Sequence, residues 1–323
     1  DGGRLMVHWG LFRKSVGDSM LLWLACAVCL FLFGWLFVTI NAGFDMASFE
    51  AIIDLLPEPI QRLSPIPLDQ LTSFDSRLSV FFEDPLIYVI ITSWCISRSS
   101  DTVSGQINAG TMEMLLAQPI TRSQVVLTPT LVIFLGLVGL TVFACGGLWV
   151  GIQTATVESS NGVQSLIFPG TVAMVPATTM TPLREMVTLP LMLPAVSNLI
   201  CFGLFIFGIT TMISAFDRYR WRTIGVAISV VIVSFVFEIL AQSTDRLKWL
   251  EVLTFFRAYE PVKFVTDSVS AGSTQWTWFL RDDAGHISDL GVLSCNLILA
   301  ALGGLAVLIA TRQFRSRDLP APL

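Results

Sequence analysis

The stretch SMLLWLACAVCLFLFGWLFVTINAGF at residues 19–44 contains no charged side chain. A helix needs about 20 apolar residues to cross roughly 30 Å of hydrocarbon, so this stretch is long enough to span a membrane. It is also too long for the core of a secretory signal, and no small-residue cleavage site follows it. We therefore expect it to be a retained transmembrane helix.

Four more long apolar stretches lie at residues 123–157, 186–216, 223–241 and 290–311, and they are free of charge apart from Glu238. A sixth stretch at 85–97 is shorter, about 20 Å as a helix. It spans only if Arg98 reaches towards the interface. The chain has 323 residues, of which 54% are hydrophobic and 13% charged, with mean hydropathy +0.73. This composition predicts one all-α polytopic membrane domain over residues 1–323, with six transmembrane helices.

The distribution of basic residues predicts the orientation. With six spans and a cytoplasmic start, the inside segments hold 11 lysine and arginine residues, against 8 in outside segments about twice as long. The positive-inside rule therefore places both chain ends in the cytoplasm. Bacterial cytoplasmic membrane is the expected location.

The segments between spans carry their own patterns. Residues 1–18 place Leu5, Trp9, Phe12 and Val16 on one face among basic residues, which predicts an amphipathic helix at the inner interface. For the outside segments 45–84 and 158–194 we expect short helices, because prolines interrupt both. The third outside segment, 243–289, is apolar around Trp249 to Phe256, which predicts a partly inserted or re-entrant helical cap.

The sequence offers no catalytic constellation. No G-x-x-x-x-G-K-[ST] phosphate loop occurs, and His8 and His286 belong to no zinc motif. Glu238 is the single ionisable candidate in the long apolar stretches, and it lies about one turn from the outer end of its stretch, so a gradient-driven carrier is disfavoured. Cys26 and Cys29, and methionines 174, 180, 186 and 192, are of the type that binds Cu(I), but both residues are common in helices, and we assign no metal site.

The cytoplasmic segment 98–123 contains the most specific pattern, GTMEMLLAQPITR at residues 110–122. Thr111 is placed to cap a helix that runs to Gln118 and is ended by Pro119. Met112, Leu115 and Leu116 would give this helix an apolar ridge. The ridge either binds a groove on a soluble partner or packs against the chain's own helix ends.

This pattern resembles the G-T-[LM]-E-x-L-L-[AS]-x-P-[VI]-[ST]-R stretch of the type-2 ABC transporter permeases, most of all their NosY-like group. Residues 256–261 (FRAYEP) and 314–319 (FRSRDL) are similar to two further, less specific motifs of that family. The resemblance implies a coupling helix at the ATPase interface, made by Gly110, Thr111, Met112, Glu113, Leu115, Leu116, Pro119 and Arg122. The acidic residues that usually precede G-T are replaced by Gln106, Ile107 and Asn108, so Glu113 and Arg122 become the expected polar contacts.

The resemblance further implies an exporter subunit that is not an enzyme by itself. ATP and Mg²⁺ would bind to a separate ATP-binding subunit, this chain would hold no cofactor, and a second permease chain would complete the path. Membrane lipid is the other expected partner, and the acidic net charge of −5 argues against nucleic acid. A membrane scaffold that assembles an external protein without transport is the alternative.

Overall fold

The computed structural model describes the backbone of residues 8–43, 73–168, 171–243, 245–281 and 287–317. Within these ranges, side chains are described except at 158–179, 245 and 281–288. The helices are α1 (Trp9–Gly43), α2 (Phe74–Ser79), α3 (Pro85–Ser100), α4 (Gln106–Asn108), α5 (Met112–Leu116), α6 (Arg122–Thr154), α7 (Leu193–Phe216), α8 (Arg220–Ser243), α9 (Pro261–Ser270) and α10 (Val292–Ser316). The strands are β1 (Thr156–Phe168), β2 (Thr171–Pro182), β3 (Phe279–Arg281) and β4 (Ile287–Leu290).

Five helices of the described residues, α1, α6, α7, α8 and α10, are long and apolar enough to cross a membrane. They confirm five of the six predicted spans. The sixth is a broken helix, in which Phe74–Glu83 and Pro85–Asn108 meet at 41°. The break falls where Asp84 takes the extended backbone that a following proline demands, and Asp84 then caps α3 by accepting the Leu86 N–H at 2.8 Å.

The start of α1 joins two predicted elements. Residues 9–18, which we predicted to lie in the interface, form the first turns of the same continuous helix that makes the first span. At 35 residues this helix is about 52 Å long and so exceeds the hydrocarbon thickness. Residues 1–7 and most of the outside segment 45–84 lie outside the described residues.

The helix α7 occupies the centre of the bundle. Of its most apolar window 61% is buried, against 17% for α8, so α7 packs on neighbours over most of its surface while α8 presents its apolar face outward. Glycines allow the closest approaches: Gly208 of α7 lies against the Gly303 backbone of α10, and Gly147 of α6 lies against the Phe31 carbonyl of α1. Small residues at such contacts are the usual basis of helix association in membranes.

The segment 158–194 differs in part from our prediction of short helices. Residues 158–168 and 171–182 belong to an antiparallel hairpin in which Thr156 pairs with Pro182 and Phe168 pairs with Thr171. The remainder does contain short helices, the 3₁₀ turns Leu183–Glu185 and Leu189–Met192. Prolines do prevent a long helix here, but threonine and valine at many positions suit a two-stranded ribbon. Pro176 is tolerated because it lies next to a register shift between Ser160 and Val163.

The segment 243–289, the third one predicted to lie outside, forms a cap over the N-terminal half of α7. Two 3₁₀ helices, Asp245–Leu253 and Phe255–Ala258, precede α9. Phe255 and Phe256 stack on each other at 4.6 Å between ring centroids, and Phe202 of α7 lies beside both. The predicted helical cap is therefore present, with a small β3–β4 ribbon added to it.

Candidate functional site: the segment 98–123

The segment between α3 and α6 makes a compact double turn. The last turn of α3 widens into a π-helical turn, Asp101–Gly105, which leads into the single turn of α4. Gly110 then reverses the chain with φ of +69°, a conformation that strains residues with a side chain. After this reversal, α5 packs against the start of α6 and the end of α10.

Thr111 does not cap α5 as predicted. Its backbone is helical rather than extended (φ −88°, ψ −11°), and its hydroxyl donates to Gln106 Oε1 at 2.7 Å instead. The helix also ends at Leu116, two residues earlier than expected, because Pro119 disfavours the helical conformation at Gln118. Thr111 thus ties α4 to α5.

The apolar ridge of α5 faces the protein's own core. Met112 is 3% exposed and Leu115 is 7% exposed. Met112 belongs to a cluster with Val103, Val125, Val126 and Phe314, and Leu116 packs at its edge. Of the two readings of the ridge, packing against the chain's own helix ends is therefore the one that the structure shows for Met112 and Leu115.

The opposite side of α5 is left open. Met114 is 72% exposed, which is unusual for a large apolar side chain outside a membrane-facing surface, and Glu113 lies exposed beside it. Ala117, Gln118 and Pro119 are also exposed. We call the five residues Glu113, Met114, Ala117, Gln118 and Pro119 the tip of the segment.

Arg122 binds within the chain. Its Nη1 donates to the carbonyl oxygens of Arg315 and Arg317 at 3.4 and 2.5 Å, at the end of α10, where a cation also complements the helix dipole. Arg315 returns the contact, since its Nε donates to Ser123 Oγ at 2.7 Å. Thr121 and Gln124 form a capping box at the start of α6.

A buried group of hydroxyls forms the base of the segment. Ser214 Oγ of α7 accepts the backbone N–H groups of Val103 and Ser104 at 3.3 and 2.9 Å, which the π-helical turn directs towards it. Thr223 of α8 donates to Ser104 Oγ at 2.9 Å. Sequence analysis missed this base, because single Ser and Thr residues inside apolar stretches carry no recognisable pattern.

An ion-pair group lies beside these hydroxyls. Asp101 contacts Arg98 at 3.7 Å and Arg220 at 3.5 Å. Arg220 also donates to the Ser97 carbonyl at 3.2 Å. The segment is therefore bound by polar contacts to the turn between α7 and α8.

Among the described side chains, no group of three His, Cys, Asp or Glu residues is placed to hold a metal ion. Cys26 and Cys29 lie one turn apart on α1, half-buried and exposed. Met180 and Met186 are exposed while Met192 is 3% exposed, so these three methionines do not share one surface. His8 accepts the Leu11 N–H at the start of α1, and His286 lies outside the described residues.

These features define a polytopic helical membrane protein with a short surface-exposed turn between two helices. The sequence model of the family described as ABC-2 family transporter protein matches residues 7–319, so the chain belongs to this family. It is accordingly a transmembrane component of an ABC transporter. A search of curated proteins gave no match.

Proposed function

We propose that this chain is the permease subunit of an ATP-driven exporter in the bacterial cytoplasmic membrane, with both ends in the cytoplasm. A separate ATP-binding subunit would dock on the tip of segment 98–123. ATP and Mg²⁺ would bind on that subunit, and this chain would supply no ligand to them. A second permease chain would complete the translocation path.

The exposed side of α5 carries the proposal. Its inner side is held by the core through Met112 and Leu115, whereas Met114 presents an unburied apolar side chain next to a carboxylate. Association with an ATP-binding subunit is what membership of the ABC-2 family implies. A flexible methionine flanked by polar groups suits a protein interface.

The two methionines of α5 provide a matched test. The chain is co-expressed with a candidate ABC ATP-binding protein of the same organism, and co-purification and ATP hydrolysis are measured. Met114→Asp should abolish co-purification while leaving the thermal unfolding of the permease unchanged, because this side chain contacts little of its own chain. Met112→Asp should instead lower stability, since it places a charge in the buried cluster.

Met112→Leu is the control that keeps the core apolar, and it should retain both stability and co-purification. Undiminished co-purification of Met114→Asp would contradict the docking surface. Full biological activity with a partner that cannot hydrolyse ATP would instead favour the scaffold function.

A further inference from the structure

A second surface lies at the turn between α7 and α8, and none of its lining residues belongs to segment 98–123. It is an open groove of about 500 Å³. Its lining includes three basic side chains, Arg218, Arg222 and Arg317, and apolar ones such as Met212, Ile213 and Val226. The lining of the groove is thus part basic and part apolar.

Among the described residues that line the groove, three arginines face one carboxylate, that of Asp217. Asp217 Oδ2 pairs with Arg222 Nε at 3.4 Å, while its Oδ1 accepts the backbone N–H of Arg218 at 2.7 Å. Arg317 donates to the Ala215 and Asp217 carbonyl oxygens at 2.7 and 3.0 Å. Burial and then the neighbouring Arg218 guanidinium lower the pKa of Arg317. An anion in the groove would relieve this repulsion between like charges.

The apolar part of the lining continues along the exposed surface of α8. Val226 starts a row of exposed valines on α8 that includes Val230 and Val233, at helical spacings of four and three. Tyr219 and Trp221, both exposed, stand at the same level as the arginines, where aromatic side chains prefer the headgroup region. The groove therefore places basic side chains next to a row of exposed valines.

We propose that this groove binds one anionic phospholipid. Arg218 and Arg222 hold the phosphate, as guanidinium groups bind phosphate oxygens through paired N–H donors. An acyl chain lies along Val226, Val230 and Val233. An acidic protein surface would satisfy the arginines but would leave the row of valines uncovered. The inference does not depend on the ATP-binding subunit or on the direction of transport.

The test uses the full-length chain, purified in detergent and stripped of lipid. Phosphatidylglycerol, zwitterionic phosphatidylcholine and inorganic phosphate are titrated separately, with thermal stabilisation and native mass spectrometry as readouts. Phosphatidylglycerol should bind best. Arg218→Gln combined with Arg222→Gln should weaken its binding at least about fivefold, the order of magnitude for one basic residue at an anionic surface.

Arg312→Gln is the matched control, because it removes an exposed arginine near the end of α10 that does not line the groove. It should change phosphatidylglycerol binding less than about twofold. Arg218→Gln alone leaves the Arg222–Asp217 ion pair in place and serves if the double variant is unstable.

Three results would overturn the proposal. Equal phosphatidylglycerol binding by the groove variants and Arg312→Gln would show that the lipid binds elsewhere. Equal stabilisation by inorganic phosphate would assign the groove to a free anion. If the groove variants lose the co-purified ATP-binding subunit but still bind phosphatidylglycerol, the groove is a surface for a protein partner.

Discussion

Replacement of Gly147 by alanine tests the close contact between α1 and α6. A Cβ atom built at this position lies 2.1 Å from the Phe31 carbonyl oxygen and 2.9 and 3.0 Å from the Phe31 carbonyl carbon and Cα. These are backbone atoms, so no side-chain rotation can relieve the overlap. Since ordinary contacts begin near 3.4 Å, the two helices must separate by about 1.3 Å at this level.

Gly146, one position earlier on the same helix, is the matched control. A Cβ atom there meets only the Phe31 ring, at 3.8 Å, which is an ordinary contact. Both substitutions gain up to about 1 kcal/mol of helix propensity. Only Gly147→Ala also carries an overpacking cost of about 1–3 kcal/mol, because it forces a backbone shift. We therefore expect Gly146→Ala to be neutral or stabilising and Gly147→Ala to be destabilising relative to it.

The free energy of unfolding of both variants is measured in the same detergent micelle, with intrinsic fluorescence and gel filtration as independent probes. A difference below about 0.5 kcal/mol between the two variants would refute the close α1–α6 approach, since that is the usual effect of a substitution that strains nothing.

Two further predictions concern the polar contacts. Thr223→Val removes the hydroxyl bonded to Ser104 and should cost about 1–3 kcal/mol of stability, whereas Thr223→Ser should retain most of it, as chemical denaturation will show. In the cap over α7, Lys263 bridges Glu260 (3.0 Å) and Asp289. Burial alone would raise the pKa of Asp289, but the hydrogen bond from Lys263 lowers it below the ordinary 3.8. This carboxylate therefore stabilises the fold fully above pH 3.8, and its contribution is lost as the pH falls through the lowered pKa. Lys263→Met should lower the unfolding temperature near pH 7. On acidification the gap to the native chain should narrow first as Glu260 is protonated, because burial raises its pKa above 4.5, and then as Asp289 is protonated below pH 3.8. A gap independent of pH would contradict the ion-pair explanation.

The spans could be predicted from the sequence because the bilayer imposes a local rule. Each stretch must be apolar over about 20 residues, whatever it packs against. The sixth span is the least certain for the same reason, because its uncharged stretch runs only from Pro85 to residue 97. In the structure the helix continues past Arg98 as far as Asn108.

The orientation of α5 could not be predicted in this way. A five-residue helix with Met112, Leu115 and Leu116 on one side has the same pattern whether a partner or the chain itself buries that side. The answer depends on Phe314, at the far end of the chain in sequence, and on the tie between Arg122 and Arg315, 193 positions apart. The hairpin at 156–182 was missed because proline was read only as a helix breaker, and its tolerance beside a strand irregularity was overlooked.

The contacts around segment 98–123 form a closed ring. Ser214 joins segment 98–123 to α7, Arg317 joins the turn after α7 to the end of α10, and Arg122 joins that end to the start of α6.

Met112 completes the ring, because it packs α5 against Val125 of α6. The ends of α3, α6, α7 and α10 on this side of the bundle are thus connected to one another through polar contacts and one apolar cluster. On the proposed function, a force applied by the partner at Met114 is therefore shared by all of these helices rather than by α3 and α6 alone. Such a connection favours movement of the helix ends as one body, and variants that break any one contact of the ring should weaken coupling without removing the docking surface.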